Sequence, residues 1–169
     1  MPTVTVMVGL PGSGKSTCIQ SVYADPNLFV YSTDHLLEVA AKELELTYND
    51  VFDDLIKSVT RAADTSLAAA IKQNKDVVWD QTNCTVKKRA TILRKFPASY
   101  LKLCVCFVPP QNAVEQQELN RRLDNRPGKT IPAHITRNMA SSFVMPTTEE
   151  GFDVVEYYNI FGQRLSKGG

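Results

Sequence analysis

One segment near the N-terminus limits the possible folds more than any other part of the chain. Residues 9–17 read GLPGSGKST, which fits the pattern G-x-x-x-x-G-K-[S/T] at every fixed position. The preceding residues 3–9, TVTVMVG, are apolar and β-branched as in a strand, and residues 16–24 have a helical pattern. A simple strand-to-helix turn would need the glycines but has no use for the lysine and serine. The order of strand, loop and helix therefore predicts a phosphate-binding loop.

The predicted loop offers backbone N–H groups, a lysine and a hydroxyl to a bound nucleotide. Gly12 and Gly14 can adopt backbone conformations closed to other residues, so that consecutive N–H groups point inward. We expect Lys15 to contact the β- and γ-phosphates of ATP and Ser16 to coordinate Mg²⁺. The residues of this segment expected to bind ATP are Gly9, Pro11, Gly12, Ser13, Gly14, Lys15, Ser16 and Thr17.

Strands and helices alternate along the rest of the chain. Further strands are predicted at 28–33, 77–79, 100–108 and 152–158, and helices at 34–44, 49–73, 86–96, 112–125 and 132–144. This alternation predicts an α/β fold of the P-loop NTPase type, with a parallel sheet of about five strands and helices on both faces. The chain of 169 residues is expected to form one domain, residues 1–169. Ligands of such sheets bind at the carboxyl ends of the strands.

Two acidic residues follow predicted strands at that edge. Asp34 could orient an acceptor hydroxyl, or it could only cap the next helix. Asp80 could hold Mg²⁺ in the manner of a Walker-B acid, or it could cap a loop. The polar side chains of Thr82 and Asn83 are expected to point into the same crevice.

Positive charge is concentrated in the middle of the chain. The net charge is only +1, yet residues 81–137 contain 11 Lys and Arg against 3 Asp and Glu. The loop DNRPGKTIP (124–132) is rich in helix breakers, which predicts a lid. We expect Arg126 to be the lid arginine that stabilises the transferred phosphoryl group, with Arg122 also near ATP. The run Lys87-Lys88-Arg89 could bind phosphates of an acceptor or form a solvated helix face.

Other features limit the location and the metal chemistry. No apolar run approaches a membrane span and no basic leader is present, so we expect a soluble, cytoplasmic protein without a membrane partner. Cys104 and Cys106 could be half of a metal site but are expected to be buried small hydrophobes. His35 and His134 lack metal-ligand spacing.

Five segments together resemble the kinase domain of the phage and animal polynucleotide 5′-hydroxyl kinases. They are GLPGSGKST, STDH, DQTN, RLDNRPGKTIP and FVMPTTEEGFDVV, and they span nearly the whole chain. The resemblance implies that Lys15 and Ser16 serve ATP and Mg²⁺. It also implies that Asp34 is the general base for the 5′-hydroxyl of DNA or RNA, and that Arg126 is the lid arginine. The activity implied is phosphorylation of 5′ ends in nucleic acid repair.

One position departs from this family. The phage enzymes have an arginine three residues after the catalytic aspartate, which holds the 3′-phosphate of the acceptor, and this chain has Leu37 there. Two alternatives therefore stay open. The first is a P-loop kinase of a small molecule such as a nucleoside, nucleotide or antibiotic, and the second is a nucleotide-binding switch with little turnover.

Overall fold

The computed structural model describes residues 1–20, 24–126 and 128–166. A six-stranded sheet has the order β2-β3-β1-β4-β5-β6. The strands are β1 (Thr3–Val8), β2 (Leu28–Tyr31), β3 (Asp76–Asp80), β4 (Leu101–Phe107), β5 (Val154–Tyr158) and β6 (Arg164–Leu165). All pairs among β1 to β5 are parallel, and β6 is antiparallel to β5. The predicted fold class is confirmed, and the two-residue β6 is added to the predicted strands.

Six α-helices connect and flank the strands within the described residues. They are α1 (Lys15–Ile19), α2 (Thr33–Glu43), α3 (Tyr48–Lys72), α4 (Val86–Leu93), α5 (Ala113–Asp124) and α6 (Ala133–Ser142). The bounds of α2 to α6 agree with the predicted ones to within three residues. Part of the predicted first helix falls on residues 21–23, which lie outside the described residues.

The sheet is covered by helices on both faces, because its strands are apolar on both sides. Val4 and Val6 on β1 pack in one cluster with Leu67 of α3 and Ile92 of α4. Met7 points to the opposite face, in a second cluster whose other members are Val78, Phe107 and Ile19. Burial on both faces is what a central parallel sheet requires. Every helix in the described part of the chain is too short or too polar to span a lipid bilayer.

Loops that follow three strands are joined at one edge of the sheet. The Gly9 N–H, just after β1, donates a hydrogen bond of 3.0 Å to the carbonyl of Thr82, just after β3. The Gln81 side-chain amide in turn donates to the Thr33 hydroxyl at 3.2 Å, at the start of α2. The phosphate loop, the loop after β3 and the first turn of α2 therefore form one connected rim.

Two predictions about polar residues are wrong. Asn83 does not reach the crevice: it is 1% exposed, and its amide donates to the carbonyl of Met7 at 2.7 Å. Arg89 is not on a solvated face, because its side chain is fully buried and forms two hydrogen bonds of 2.7 Å with the Glu150 carboxylate. Only Lys87 and Lys88 of that run are exposed. Arg89 lies three residues after Val86, about one helical turn. The helical pattern of the sequence cannot reveal that its acidic partner is Glu150, 61 residues away.

Candidate active site

A large cleft opens along this rim, with the phosphate loop, which follows β1, at one end and Asp34, which follows β2, at the other. Its volume is about 1360 Å³, which exceeds the roughly 300–1,000 Å³ of a typical one-ligand pocket. The predicted residues that line it are Pro11, Gly12, Gly14, Lys15, Ser16, Thr17, Asp34, Asp80, Arg122 and Arg126. The cleft therefore brings together the predicted site residues of both ends and has room for two ligands.

The backbone of the phosphate loop depends on its glycines. Gly12 has φ +79° and Gly14 has φ +110°, in the left-handed region that other residues rarely adopt. A β-carbon at Gly9 would lie 2.5 Å from the Ser13 hydroxyl oxygen and 3.1 Å from the β-carbon of Phe107, so a side chain here would require both residues to shift. Gly9 and Ser13 are not among the residues that line the cleft. Gly14 precedes the first residue of α1.

Lys15 is held ready within the loop. Its ammonium donates hydrogen bonds of 2.8 Å and 2.9 Å to the carbonyls of Gly9 and Leu10, and the residue is 8% exposed. Burial lowers the pKa of Lys15 to about 8, although the nearby Asp80 carboxylate acts in the opposite direction. A phosphate group would supply the negative charge that favours the protonated lysine. The cradle and its lysine therefore fit a nucleotide phosphate chain.

Ser16 and Asp80 fit a magnesium ion carried in by a nucleotide. Both line the cleft, and a hydroxyl and a carboxylate are the hard oxygen donors that Mg²⁺ prefers. The described residues contain no group of three or more acidic, histidine or cysteine side chains able to hold a metal alone. In nucleotide sites Mg²⁺ usually takes most of its ligands from phosphates and water.

The two predicted arginines are in different states. Arg122 is already engaged, since its three nitrogens donate to the Glu118 carboxylate, the Gly12 carbonyl and the Ile160 carbonyl at 2.8–3.2 Å. It therefore braces the phosphate loop from α5. Arg126 has one terminal nitrogen, Nη1, that is buried without a hydrogen-bond partner among the described residues. Its charge lies close enough to lower the pKa of both Lys15 and Asp34.

Asp34 does not cap α2. The N-cap is Ser32, whose hydroxyl accepts a hydrogen bond of 3.2 Å from the His35 N–H. Asp34 lies in the first turn with its carboxylate in the cleft, where Oδ1 accepts from the Tyr48 hydroxyl at 2.7 Å. Oδ2 accepts from the Lys129 ammonium at 2.9 Å. Both carboxylate oxygens are therefore held from other elements, and the interpretation of Asp34 as only a helix cap is wrong.

Lys129 lies within the predicted lid loop, residues 124–132. Its side chain is 10% exposed, and its ammonium also pairs with the Glu38 carboxylate at 3.1 Å. It lies 4.4 Å from the centre of the Tyr48 ring, a cation–π contact. Burial acts to raise the pKa of the Asp34 carboxyl, but Lys129, Tyr48 and Arg126 together hold it below its ordinary value. Lid and acidic residue are thus electrostatically joined.

Replacing Lys129 by methionine is expected to raise the pKa of the Asp34 carboxyl, because the change removes the main charge that favours the ionised form. An NMR titration of the carboxyl carbons would measure this shift. Lys42→Met, on the exposed side of the same helix α2, is the matched control and should leave Asp34 unchanged. An Asp34 pKa that stays the same in Lys129→Met would show that the ion pair does not persist in solution.

Leu37 lies outside the cleft. It is fully buried in a small core with Ala41 and Val51, where α2 packs on α3. The next residue, Glu38, lines the cleft instead. The wall near Asp34 therefore carries an acidic side chain, Glu38, next to the position of Leu37.

Comparison with known proteins agrees with this architecture. Residues 4–146 match the family AAA_33, described as an AAA domain. Over 156 residues the chain is 26% identical to the bifunctional polynucleotide phosphatase/kinase of Schizosaccharomyces pombe, covering 90% of this chain and 32% of that protein. The chain thus spans about a third of the length of this curated relative.

Solved structures with similar folds include kinases of two kinds. A fungal RNA kinase has a TM-score of 0.59 at 14% identity, covering 93% of this chain and 38% of that one. A sugar kinase from Janibacter sp. has a TM-score of 0.58 at 16% identity, covering 95% of this chain and 87% of that one. The two similarities are equally strong, so the fold alone does not distinguish a polynucleotide acceptor from a small one.

Proposed function

We propose that this chain, which belongs to the AAA_33 family and has the P-loop kinase fold, transfers the γ-phosphate of ATP to the 5′-hydroxyl of DNA or RNA. The observation that carries the proposal is the cleft with a phosphate cradle at one end and Asp34 at the other. A nucleotide-binding switch would need the cradle alone. It would have no use for a carboxylate oriented on both oxygens at the opposite end of the same cleft.

Each group in the cleft has a place in such a reaction. The N–H groups of the phosphate loop and Lys15 would hold the β- and γ-phosphates, and Ser16 and Asp80 would hold Mg²⁺, which neutralises phosphate charge when bound. The acceptor oxygen forms a bond to the γ-phosphorus while the bond to the bridging β–γ oxygen breaks. The acceptor proton passes to Asp34, and ADP leaves with the electrons of the broken bond.

A carboxylate with a low pKa can still serve this step. In a loose phosphoryl-transfer transition state the acceptor proton leaves late, so orientation of the hydroxyl matters more than basicity. Tyr48 and Lys129 fix the Asp34 carboxylate in one orientation and keep it ionised at neutral pH. Arg126, whose buried Nη1 has no hydrogen-bond partner in the part of the chain that the structure describes, would stabilise charge on the transferred group.

The polynucleotide acceptor is supported by the similarity to a polynucleotide phosphatase/kinase over 90% of the chain. Positive charge adds support: Lys88, Arg121, Arg122, Arg126 and Lys129 from the cationic middle segment all line the cleft. Phosphates of a bound strand would be attracted to such a surface.

A small-molecule acceptor is the second candidate, and the wall around Asp34 favours it. Glu38 and Asp53 line that end of the cleft, and the Lys129 charge there is already shared by two carboxylates. Phe52 and Ile56 add apolar surface to the same end. An acidic and partly apolar wall suits a neutral acceptor better than a polyanion.

One labelling experiment separates the candidates. The protein is incubated with γ-labelled ATP, Mg²⁺ and, in parallel, 5′-hydroxyl DNA, 5′-hydroxyl RNA, nucleoside 3′-monophosphates, free nucleosides and sugars. We expect label on an oligonucleotide, with kcat/KM falling roughly tenfold or more between about 50 and 200 mM salt. Label on a neutral small molecule with little salt dependence would select the second candidate. ATP binding without label on any acceptor would favour the switch.

A further inference from the structure

The side chain of Asn49 links the lid loop to the first turn of α3. Asn49 Oδ1 accepts a hydrogen bond from the Thr130 N–H, and Asn49 Nδ2 donates to the Thr130 carbonyl, both at 3.0 Å. The Asn49 N–H also donates to the Gly128 carbonyl at 3.4 Å. The amide of Asn49 thus binds both backbone groups of one lid residue, a pairing that is specific for asparagine or glutamine.

The first turn of α3 is capped where it meets the lid. Thr47 and Asp50 form a reciprocal capping box, with the Thr47 hydroxyl and N–H both donating to the Asp50 carboxylate at 2.7–2.8 Å. Gly128 has φ +67°, and a β-carbon there would lie 3.2 Å from the Thr47 side chain. Helix and lid are therefore in close contact, and a glycine is needed at the point of approach.

This attachment fixes where Arg126 can be. Arg126 lies only four residues before Thr130, a length of chain that spans about 14 Å at most. Its charge reaches Lys15 at one end of the cleft and Asp34 at the other, and one of its nitrogens is buried without a partner among the described residues. A guanidinium that acts on both groups, with a buried nitrogen unpaired among the described residues, is suited to meet the transferred group.

We propose that Asn49 is a positioning residue for phosphoryl transfer, which acts through Arg126 by holding the lid closed on α3. The proposal rests on the proposed transfer of phosphate from ATP, but it does not depend on which acceptor is used. Tyr48 adds two contacts between α3, the lid and α2. Its ring packs against the Lys129 ammonium, and its hydroxyl donates a hydrogen bond to Asp34. Asn49 lines the cleft, but its side-chain amide is engaged with the backbone of Thr130, so its effect should be visible only while Arg126 is present.

The test measures binding of ADP, and of ADP with Mg²⁺ and aluminium fluoride as a mimic of the transferring phosphoryl group, by calorimetry. Asn49→Ala is expected to leave the affinity for ADP unchanged and to weaken that for the mimic about tenfold, since two lid hydrogen bonds are lost. Arg126→Ala should weaken mimic binding further. In the double variant Asn49→Ala should add almost nothing, because a residue acting through Arg126 has no effect once it is gone.

Two further variants make the result decisive. Asn120→Ala, an exposed asparagine on α5, is the matched control and should bind the mimic as wild type does. Asn49→Asp keeps the acceptor for the Thr130 N–H but sets a carboxylate oxygen against the Thr130 carbonyl, so its affinity for the mimic should be no higher than that of Asn49→Ala. If the losses of affinity for the mimic caused by Asn49→Ala and Arg126→Ala were additive in the double variant, the proposal would be overturned. Wild-type protein that binds the mimic no better than ADP would also overturn it, whereas unlabelled oligonucleotides would overturn only the polynucleotide acceptor.

Discussion

Asp34→Asn is expected to leave the affinity for ATP within about twofold of wild type and to lower the rate of phosphotransfer by roughly 10²- to 10⁴-fold. ATP affinity should survive because the phosphate cradle is built by the loop at the other end of the cleft. Transfer should be lost because an amide cannot take the acceptor proton. The amide also cannot accept hydrogen bonds on both of its terminal atoms, as the carboxylate does from Tyr48 and Lys129.

Glu38→Gln is the matched control for this variant. It makes the same carboxylate-to-amide change on the same helix, and Glu38 also pairs with Lys129. The control therefore separates the effect of a weakened lid contact from the effect of losing the carboxylate that faces the acceptor. We expect transfer in Glu38→Gln to fall by no more than about threefold, the effect of one exposed ion pair. Single-turnover transfer and calorimetry of ATP binding measure the two quantities. A near wild-type rate of transfer in Asp34→Asn would show that Asp34 only binds the lid through Lys129 and does not take the acceptor proton.

The sheet and the phosphate loop could be predicted from the sequence because their determinants are local. Nine consecutive residues define the loop, and short apolar runs, β-branched in β1 and β3, define β1, β3 and β4. Strand β6 could not be predicted in this way, since a two-residue strand, Arg164–Leu165, has no periodicity. It exists only because it pairs with β5.

The assignment of the cap of α2 shows why a local signal can mislead. Ser32, Thr33 and Asp34 are all residues that favour helix N-termini, so the sequence alone allowed Asp34 to be the cap. In the structure Ser32 takes that place and leaves the Asp34 carboxylate for the cleft. The difference is two residues, yet it decides whether Asp34 is structural or available for chemistry.

The acceptor end of the site was mostly missed because its contacts are distant in sequence. Lys129 and Asp34 are 95 residues apart, and Asn49 and Thr130 are 81 apart. Periodicity tells which face of a helix is buried but not which loop will lie on its first turn. One signal was available: Thr47 followed three residues later by Asp50 is close to a capping box, and it would have marked the turn that carries Tyr48 and Asn49.

The late segment PTTEEGF also gains a physical role from the structure. Its Glu150 is the partner of buried Arg89, and Arg89 Nη1 donates to the Asn83 carbonyl at 2.9 Å. The loop after Asp80 is therefore bound by Arg89, whose ion pair with Glu150 joins α4 to the segment before β5. A stretch that the sequence related only to a family resemblance thus supports the geometry of the cleft.

Glu150→Ala is expected to lower the free energy of unfolding by about 3–5 kcal/mol, because it leaves the guanidinium of Arg89 buried without its carboxylate. The Arg89 side chain is 0% exposed, so water cannot replace the lost partner without local opening. For a chain of this length the thermal midpoint should fall by on the order of 10 °C. Urea denaturation followed by circular dichroism measures the change.

The neighbouring residue provides the control for this prediction. Glu149→Ala removes an exposed carboxylate from the same short turn, Thr148–Glu150, and should change stability by no more than about 0.5 kcal/mol. The double variant Arg89→Met/Glu150→Leu should recover much of the loss, since a buried ion pair can often be replaced by apolar side chains of similar volume. A Glu150→Ala protein as stable as Glu149→Ala would show that Arg89 finds another partner or reaches solvent. In that case the loop after Asp80 would not depend on this ion pair for its position.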